Sequence, residues 1–422
     1  MSRIATNLVV AKLVSGLSSL LTVPLLLHSL GVVNYGYYLI LSSLIFIASF
    51  TDLGLSNGAI NRVATTRNLT DFTDVILGLL FSLFLMSLVT LGLFLCVFPF
   101  VDWGSILQIS ATSQLNLNRE ICISGIACTS IPFTNLASKL MVAKSNNSQA
   151  AKVVTISSVS TNVALVVFAY LQASPGLLVA VQILLPACVN LFVLLRMIEL
   201  SRIKIHNFQF YITSMQENVR YGSVFVVLQA TTILSYQIDN LILGHFLGPI
   251  AVVELATVWK LCVFPTLLVS AGAAPLWGQS AKLQSQKRTE SAIQEALDSV
   301  RQIGIPLVIF GLAFCILGKQ FVILWTNGLV NPSIITIVVA ACWVIVFTIS
   351  QPIAMMLNGI GRIRFVLSTA ILSTSGNLML SVILTKVLRI PAAPLLGSFV
   401  AQMLFYLLPF WLIFIHKFSS RD

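Results

Sequence analysis

The sequence predicts an all-α integral membrane protein of about twelve transmembrane helices in two six-helix bundles. Three observations carry this. Of 422 residues, 57% are hydrophobic and only 9% charged, with a mean hydropathy of +0.97, whereas water-soluble chains average about 25% charged residues. Apolar stretches near 20 residues long recur along the whole chain. The cations collect in alternate connections. Disordered, disulfide-scaffold, collagen-like and nucleic-acid-binding classes are excluded, despite a net charge of +11.

A helix that crosses a bilayer needs roughly 20 apolar residues, because it rises about 1.5 Å per residue through about 30 Å of hydrocarbon. Twelve segments meet this: 6–29, 35–57, 75–98, 120–141, 153–173, 177–197, 220–247, 252–276, 303–325, 333–356, 365–388 and 395–416. They predict an N-terminal bundle over 1–198, a cytoplasmic linker at 199–219, a second bundle over 220–416 and a tail at 417–422. A lipid-facing barrel would need alternating strands of about ten residues, but residues 77–98 are apolar all round, as a lipid-buried helix is.

Nineteen of the 24 Lys and Arg fall at the termini and even-numbered connections, Lys144, Lys152, Arg196, Lys282 and Arg362 among them. The opposite side holds Arg119, Lys319, Lys386 and Arg389, and Lys260 lies farthest from a span end. The positive-inside rule then places both termini in the cytoplasm. The first span runs on without a small-residue cleavage pattern, so no cleavable signal peptide is expected. In the connection at 278–302, Ile293, Leu297 and Val300 recur at helical spacing beside Glu290, Glu295 and Asp298, which reads either as an interfacial amphipathic helix or as a solvated linker.

No metal-ligand or nucleotide-binding spacing is found in the chain. Seven cysteines include no CxxC pair and lie in or near apolar spans, where they read as small apolar filler. The four histidines have no ligand spacing, and GxGxxG and Walker motifs do not occur. No metal, no catalytic residue and no enzymatic activity is expected.

A shift of 217 residues superposes the first span on the seventh. His28, Leu30 and Gly31 fall on His245, Leu247 and Gly248, and the polar stripe Lys12, Ser15, Ser19 and Thr22 falls on Gln229, Thr232, Tyr236 and Asp239. Six spans is an even number, so the two copies share one orientation and imply bundles related by an axis along the membrane normal.

Charges within spans cost roughly 2.5–3.5 kcal/mol at mid-bilayer and are expected to face a protein or water-filled interior. They are Asp52, Asp239, Glu254 and Lys260, with Lys12, Arg119, Glu120 and Lys139 nearer span ends. Each has two readings: Asp52 as a helix-end cap or an ion-coupling acid, Asp239 as an acid bonded to neighbouring hydroxyls or one engaged in transport. Lys12 either faces an anionic cargo or snorkels to the interface. Asn135, Asn162, Ser373, Asn377 and Ser381 suit ordinary helix packing.

Residues 30–64 (LGVVNYGYYLILSSLIFIASFTDLGLSNGAINRVA) resemble the start of Wzx-type polysaccharide flippases. The matching positions are Leu30, Gly31, Tyr35, Gly36, Asp52, Leu53, Gly54, Asn61 and Arg62, and QIDNLILGHFLG at 237–248 is similar to the corresponding seventh helix. The resemblance implies the multidrug/oligosaccharidyl-lipid/polysaccharide exporter superfamily, with its MATE-like two-bundle architecture, in a bacterial inner membrane. It implies ion-coupled translocation of an undecaprenyl-diphosphate-linked oligosaccharide to the periplasmic leaflet, for O-antigen or capsule assembly. Lys12, Arg62, Lys139 and Lys260 are then the candidates for the anionic headgroup, and Asp52 and Asp239 for coupling H+ or Na+. No cofactor is expected beyond that ion. The expected partners are membrane lipids, the polyprenyl-linked glycan, a polysaccharide polymerase and a chain-length regulator. The alternatives are a cation-coupled multidrug antiporter of the same superfamily and, from another class, a membrane polymerase or glycosyltransferase.

Overall fold

The computed structural model describes residues 3–48, 55–56, 63, 69–104, 116–144, 146–198 and 208–415. These residues are almost entirely helical, with no strand among them. The helices are α1 (Arg3–Ala48), α2 (Leu69–Val97), α3 (Leu117–Cys128), α4 (Leu136–Ala143), α5 (Asn147–Tyr170), α6 (Pro175–Met197), α7 (Phe208–Leu247), α8 (Pro249–Ser285), α9 (Thr289–Trp325), α10 (Ile334–Gly359), α11 (Ile363–Leu388) and α12 (Ala393–Gln402). The helical path of α12 continues through π-turns to Ile415.

The helices present apolar side chains outward, among them Leu324 at 77% and Ile316 at 71% exposure. Outward faces of that kind belong in hydrocarbon. Nine helical segments among the described residues are long and apolar enough to cross a membrane, or ten when the bent pair Leu117–Cys128 and Ile131–Ala143 counts as one. The difference from twelve has two sources. Val10–Ser43 counts once although it takes in most of the first predicted span and the start of the second, and in the seventh only Ile238–Leu247 counts as an apolar helix, a short one.

The first of these is a consequence of one residue. Helix α1 is two helices that meet at Gly31, whose φ of 75° and ψ of 163° are non-helical. The matching Gly248 has φ 82° and ψ −179° and separates α7 from α8, with Pro249 opening α8. Its N–H donates to the carbonyl of Leu243 at 3.0 Å. A Cβ at either glycine would meet no atom within 4 Å, so what selects glycine is the left-handed backbone rather than space. The two HxLG segments therefore make the same turn.

The chain divides into two compact units, Met1–Ile233 and Leu234–Asp422, a boundary inside α7. In the first unit the initial turns of α7 lie on α2: Phe81 meets Tyr211 with ring centroids 5.0 Å apart, and a side chain at Gly78 would run into Ser214. The part of the expected linker from Phe208 onward is thus helix packed on protein. A core of Ile76, Leu79, Leu83, Leu136, Leu140 and Leu194 joins α2, α4 and α6.

In the second unit α9 runs 37 residues without interruption, about 55 Å at the usual rise. Ala292, Ile293 and Ala296 pack against Ile353, Met356, Leu357 and Phe410. The stretch read as an interfacial helix or a solvated linker is neither: its apolar face is covered by α10 and the end of the chain's last helix.

Candidate functional site

Asp239 sits on the last turns of α7, 8% exposed, where three helices of the second unit meet. The hydroxyl of Ser398 on α12 lies 3.2 Å from Asp239 Oδ2 and 3.0 Å from Asn377 Oδ1. Ser381 Oγ on α11 lies 2.7 Å from Asn377 Oδ1, 3.0 Å from the Pro394 carbonyl and 3.5 Å from Asp239 Oδ1. Asn377, Ser381 and Thr385 follow at helical spacing, and Thr385 Oγ1 donates to the Ser381 carbonyl at 2.6 Å. Gly397 lets α11 and α12 approach, because a Cβ there would stand 2.7 Å from Ser381 N and 2.8 Å from its Oγ.

The proton count of this cluster is unequal. A hydroxyl has one O–H, so the two serine donors face both oxygens of Asp239, the amide oxygen of Asn377 and the carbonyl of Pro394. Two serine oxygens add lone pairs of their own. At this buried acid the acceptor oxygens outnumber the two serine protons. The described residues contain no group of three or more His, Cys, Asp or Glu placed to hold a metal ion.

The first unit holds the corresponding contact without a carboxylate. Asn162 on α5 donates to Ser18 Oγ on α1 at 2.7 Å, and Thr22, at the position matching Asp239, donates to the Ser18 carbonyl at 2.8 Å. A glutamine also ties α6 in the first unit and α12 in the second. Tyr38 and Ser42 donate to Gln182 Oε1 at 2.6 and 3.2 Å. Gln402 accepts from Ser373 at 3.3 Å and donates to Ser350 at 3.1 Å.

The other acids do different work. Glu120 Oε2 accepts the Gly176 N–H at 2.7 Å, in the first turn of α6. Glu254 Oε1 accepts the Ser333 N–H at 2.9 Å and the Thr336 hydroxyl at 2.7 Å, at the start of α10. Both carboxylates satisfy helix-start donors and oppose the positive end of a helix dipole.

Of the cations expected to meet an anionic headgroup, Lys12 on α1 is exposed, while Lys139 on α4 and Lys260 on α8 are half-buried. Trp259 beside Lys260 meets Trp343 of α10 edge to face, centroids 4.1 Å apart. No hydrogen bond or ion pair among the described residues joins Lys12 to Lys139, or Lys260 to Asp239. Asp52 and Arg62 lie outside the described residues. Ser398 and Pro394 were missed: the sequence marked Asn377 and Ser381 only as packing residues, and α12 carries no charge to draw notice.

The all-helical fold is that of the multidrug and flippase transporters of the MOP superfamily. A multidrug-resistance MATE family transporter of that superfamily, inward-facing, matches with a TM-score of 0.65 at 15% identity, covering 100% of this chain and 97% of that one. The lipid II flippase MurJ, inward closed, matches with a TM-score of 0.70 at 12% identity, covering 96% and 87%. A MOP superfamily transporter from Pyrococcus furiosus gives 0.55 at 14%, covering 96% and 94%. Comparison with curated protein sequences returned no match. Residues 4–275 match the polysaccharide biosynthesis protein family, and the chain belongs to it.

Proposed function

We propose that this protein is a flippase that carries an undecaprenyl-diphosphate-linked oligosaccharide repeat unit from the cytoplasmic to the periplasmic leaflet of a bacterial inner membrane, for O-antigen or capsule assembly. The family supports a polysaccharide role. The single structural observation that carries the mechanism is the acceptor-rich enclosure around Asp239. A sugar chain and diphosphate do not cross hydrocarbon unaided, and an ion moving down its gradient through an acid-bearing site supplies the bias. We take Asp239 as the H+ or Na+ site, with Asp52 as a further coupling acid. Lys12, Arg62, Lys139 and Lys260 are the cations offered to the diphosphate. Both termini lie in the cytoplasm on this reading, the two bundles span 1–198 and 220–416, and a polymerase and chain-length regulator receive the product.

The test is genetic and chemical. A host lacking this gene accumulates complete lipid-linked units on the cytoplasmic side, and the wild-type chain restores surface polymer. Lys260→Ala and Asp239→Ala each reduce that restoration while the protein still accumulates in the membrane. Full restoration by both variants overturns the site assignment. Surface capped with single units in the null host instead identifies a polymerase.

A further inference from the structure

The first unit contains a cleft that the transport reading does not use. Between α3 and α4 the chain bends by 43° through a short 3-10 turn at Ile131–Phe133. Beside the bend, α2 and α6 draw apart and leave a cleft of about 450 Å³, walled by Leu80, Phe84, Leu88, Phe133, Leu184 and Leu191. This lies within the range that holds one small apolar ligand. The carbonyl freed at the bend is already satisfied, because Ser87 donates to Thr129 O at 2.8 Å. The core on Leu79, Leu83, Leu140 and Leu194 fills the interior toward one end. At the other end Phe94 presses on Gly125.

One face of α6 leads out of the cleft. Leu184, Cys188, Leu191, Phe192, Leu195 and Arg196 recur at helical spacing and are all exposed, Phe192 by 60% and Leu195 by 53%. The Arg196 guanidinium lies 5.2 Å from the Phe192 ring centroid, so the charge is held on this stripe. Twelve residues separate Leu184 from Arg196, about 18 Å along a helix, against about 15 Å for half of the hydrocarbon core. The stripe therefore runs from a cation at the membrane surface to an apolar recess near mid-bilayer, the path of one chain in one leaflet.

We propose that this cleft seats an acyl chain of an anionic phospholipid whose phosphate rests on Arg196 and whose chain end packs against the bend between α3 and α4. Charge and length both select it. The guanidinium pairs with phosphate, and the stripe ends where a phospholipid chain ends. A polyprenyl chain of cargo type is far longer than the stripe and must pass between leaflets rather than rest beside one. The basic end of α6 is the one the charge distribution assigns to the cytoplasm, which makes the lipid one of the cytoplasmic leaflet. This inference does not depend on the identity of the cargo.

The test uses the full chain in vesicles of phosphatidylethanolamine and phosphatidylglycerol, with a phosphatidylglycerol probe bearing a diazirine near its chain end. Illumination and peptide mapping are expected to place adducts on residues 80–91 and 184–191, about fivefold above an otherwise identical phosphatidylcholine probe, the effect of one basic residue at a bilayer surface. Arg196→Gln is expected to abolish that preference. Cys188→Trp, which fills the recess, is expected to remove adducts there and leave those on the exposed face of α5 unchanged. Leu88→Trp fills it from the opposite wall should the first variant fail to accumulate. Equal labelling by both probes in the wild type, or unchanged labelling in the filled variants, overturns the proposal. Displacement of the probe by an equal amount of polyprenyl phosphate does so too, and assigns the cleft to an isoprenoid tail.

Discussion

Ser398 and Asp239, 159 residues apart in sequence, share a hydrogen bond of 3.2 Å at a point where α7, α11 and α12 converge. The bond is one of two hydroxyl contacts to that carboxylate among the described residues, the other being Ser381 at 3.5 Å. A carboxyl group this buried, contacted by two shared hydroxyls, has few partners to offset its loss of water.

Asp239→Asn keeps the shape and removes the charge. Export is expected to fall about 5- to 150-fold, the span of a coupling worth about 1–3 kcal/mol, while thermal unfolding in detergent holds or rises, since a neutral amide carries its own donors. Loss of thermal stability in step with export would assign Asp239 to structure alone.

Gly397 and Gly304 form a matched pair of opposite sign. Gly397→Ala drives a Cβ to 2.7 Å from Ser381 N, and overpacking of this kind costs about 1–3 kcal/mol. At Gly304, inside α9, an added methyl group would meet no atom within 4 Å, so Gly304→Ala is expected to stabilise by about 0.5–1 kcal/mol. Unfolding midpoints of the two variants check both directions.

Glu254→Ala strips the Ser333 N–H and Thr336 hydroxyl of their common acceptor, and about 1–3 kcal/mol of stability is expected to go with it. Glu254→Gln retains an oxygen acceptor and is expected to lose less. Hydrogen exchange at the first turn of α10 reads the local effect, which stays confined there if the carboxylate is a cap and nothing more.

At Gly31 and Gly248 the backbone itself is the constraint. Alanine at either is expected to cost about 1–3 kcal/mol from a positive-φ, extended-ψ backbone that glycine alone adopts readily, with no clash against neighbouring atoms. The two variants are expected to match within error because the two turns match; unequal losses in thermal unfolding would mean the turns are held differently.

The sequence made some of these features plain and concealed others, for physical reasons. The HxLG pairs were legible because a glycine in left-handed backbone is a local requirement, readable without neighbours. The same residue joins two expected spans into one helical stretch, since a one-residue turn leaves no polar loop between them. Asp239 was conspicuous as a lone acid in an apolar run, but its partners Ser398 and Pro394 are brought to it by tertiary packing that no spacing encodes. Glu120 and Glu254 stood out as charges in the membrane. Their role as caps was hidden because the helix starts they serve begin 56 and 79 residues later. Along 289–300 periodicity identified an apolar face correctly and said nothing of what covers it.

The matched turns at Gly31 and Gly248 set two copies of one joint in a single chain, yet where unit two has Asp239 its twin has the hydroxyl of Thr22, 5% exposed. The turn is shared between the two halves and the buried carboxylate beside it is not. Whatever follows from replacing that acid therefore has its comparison built into the same chain, at a hydroxyl one repeat away.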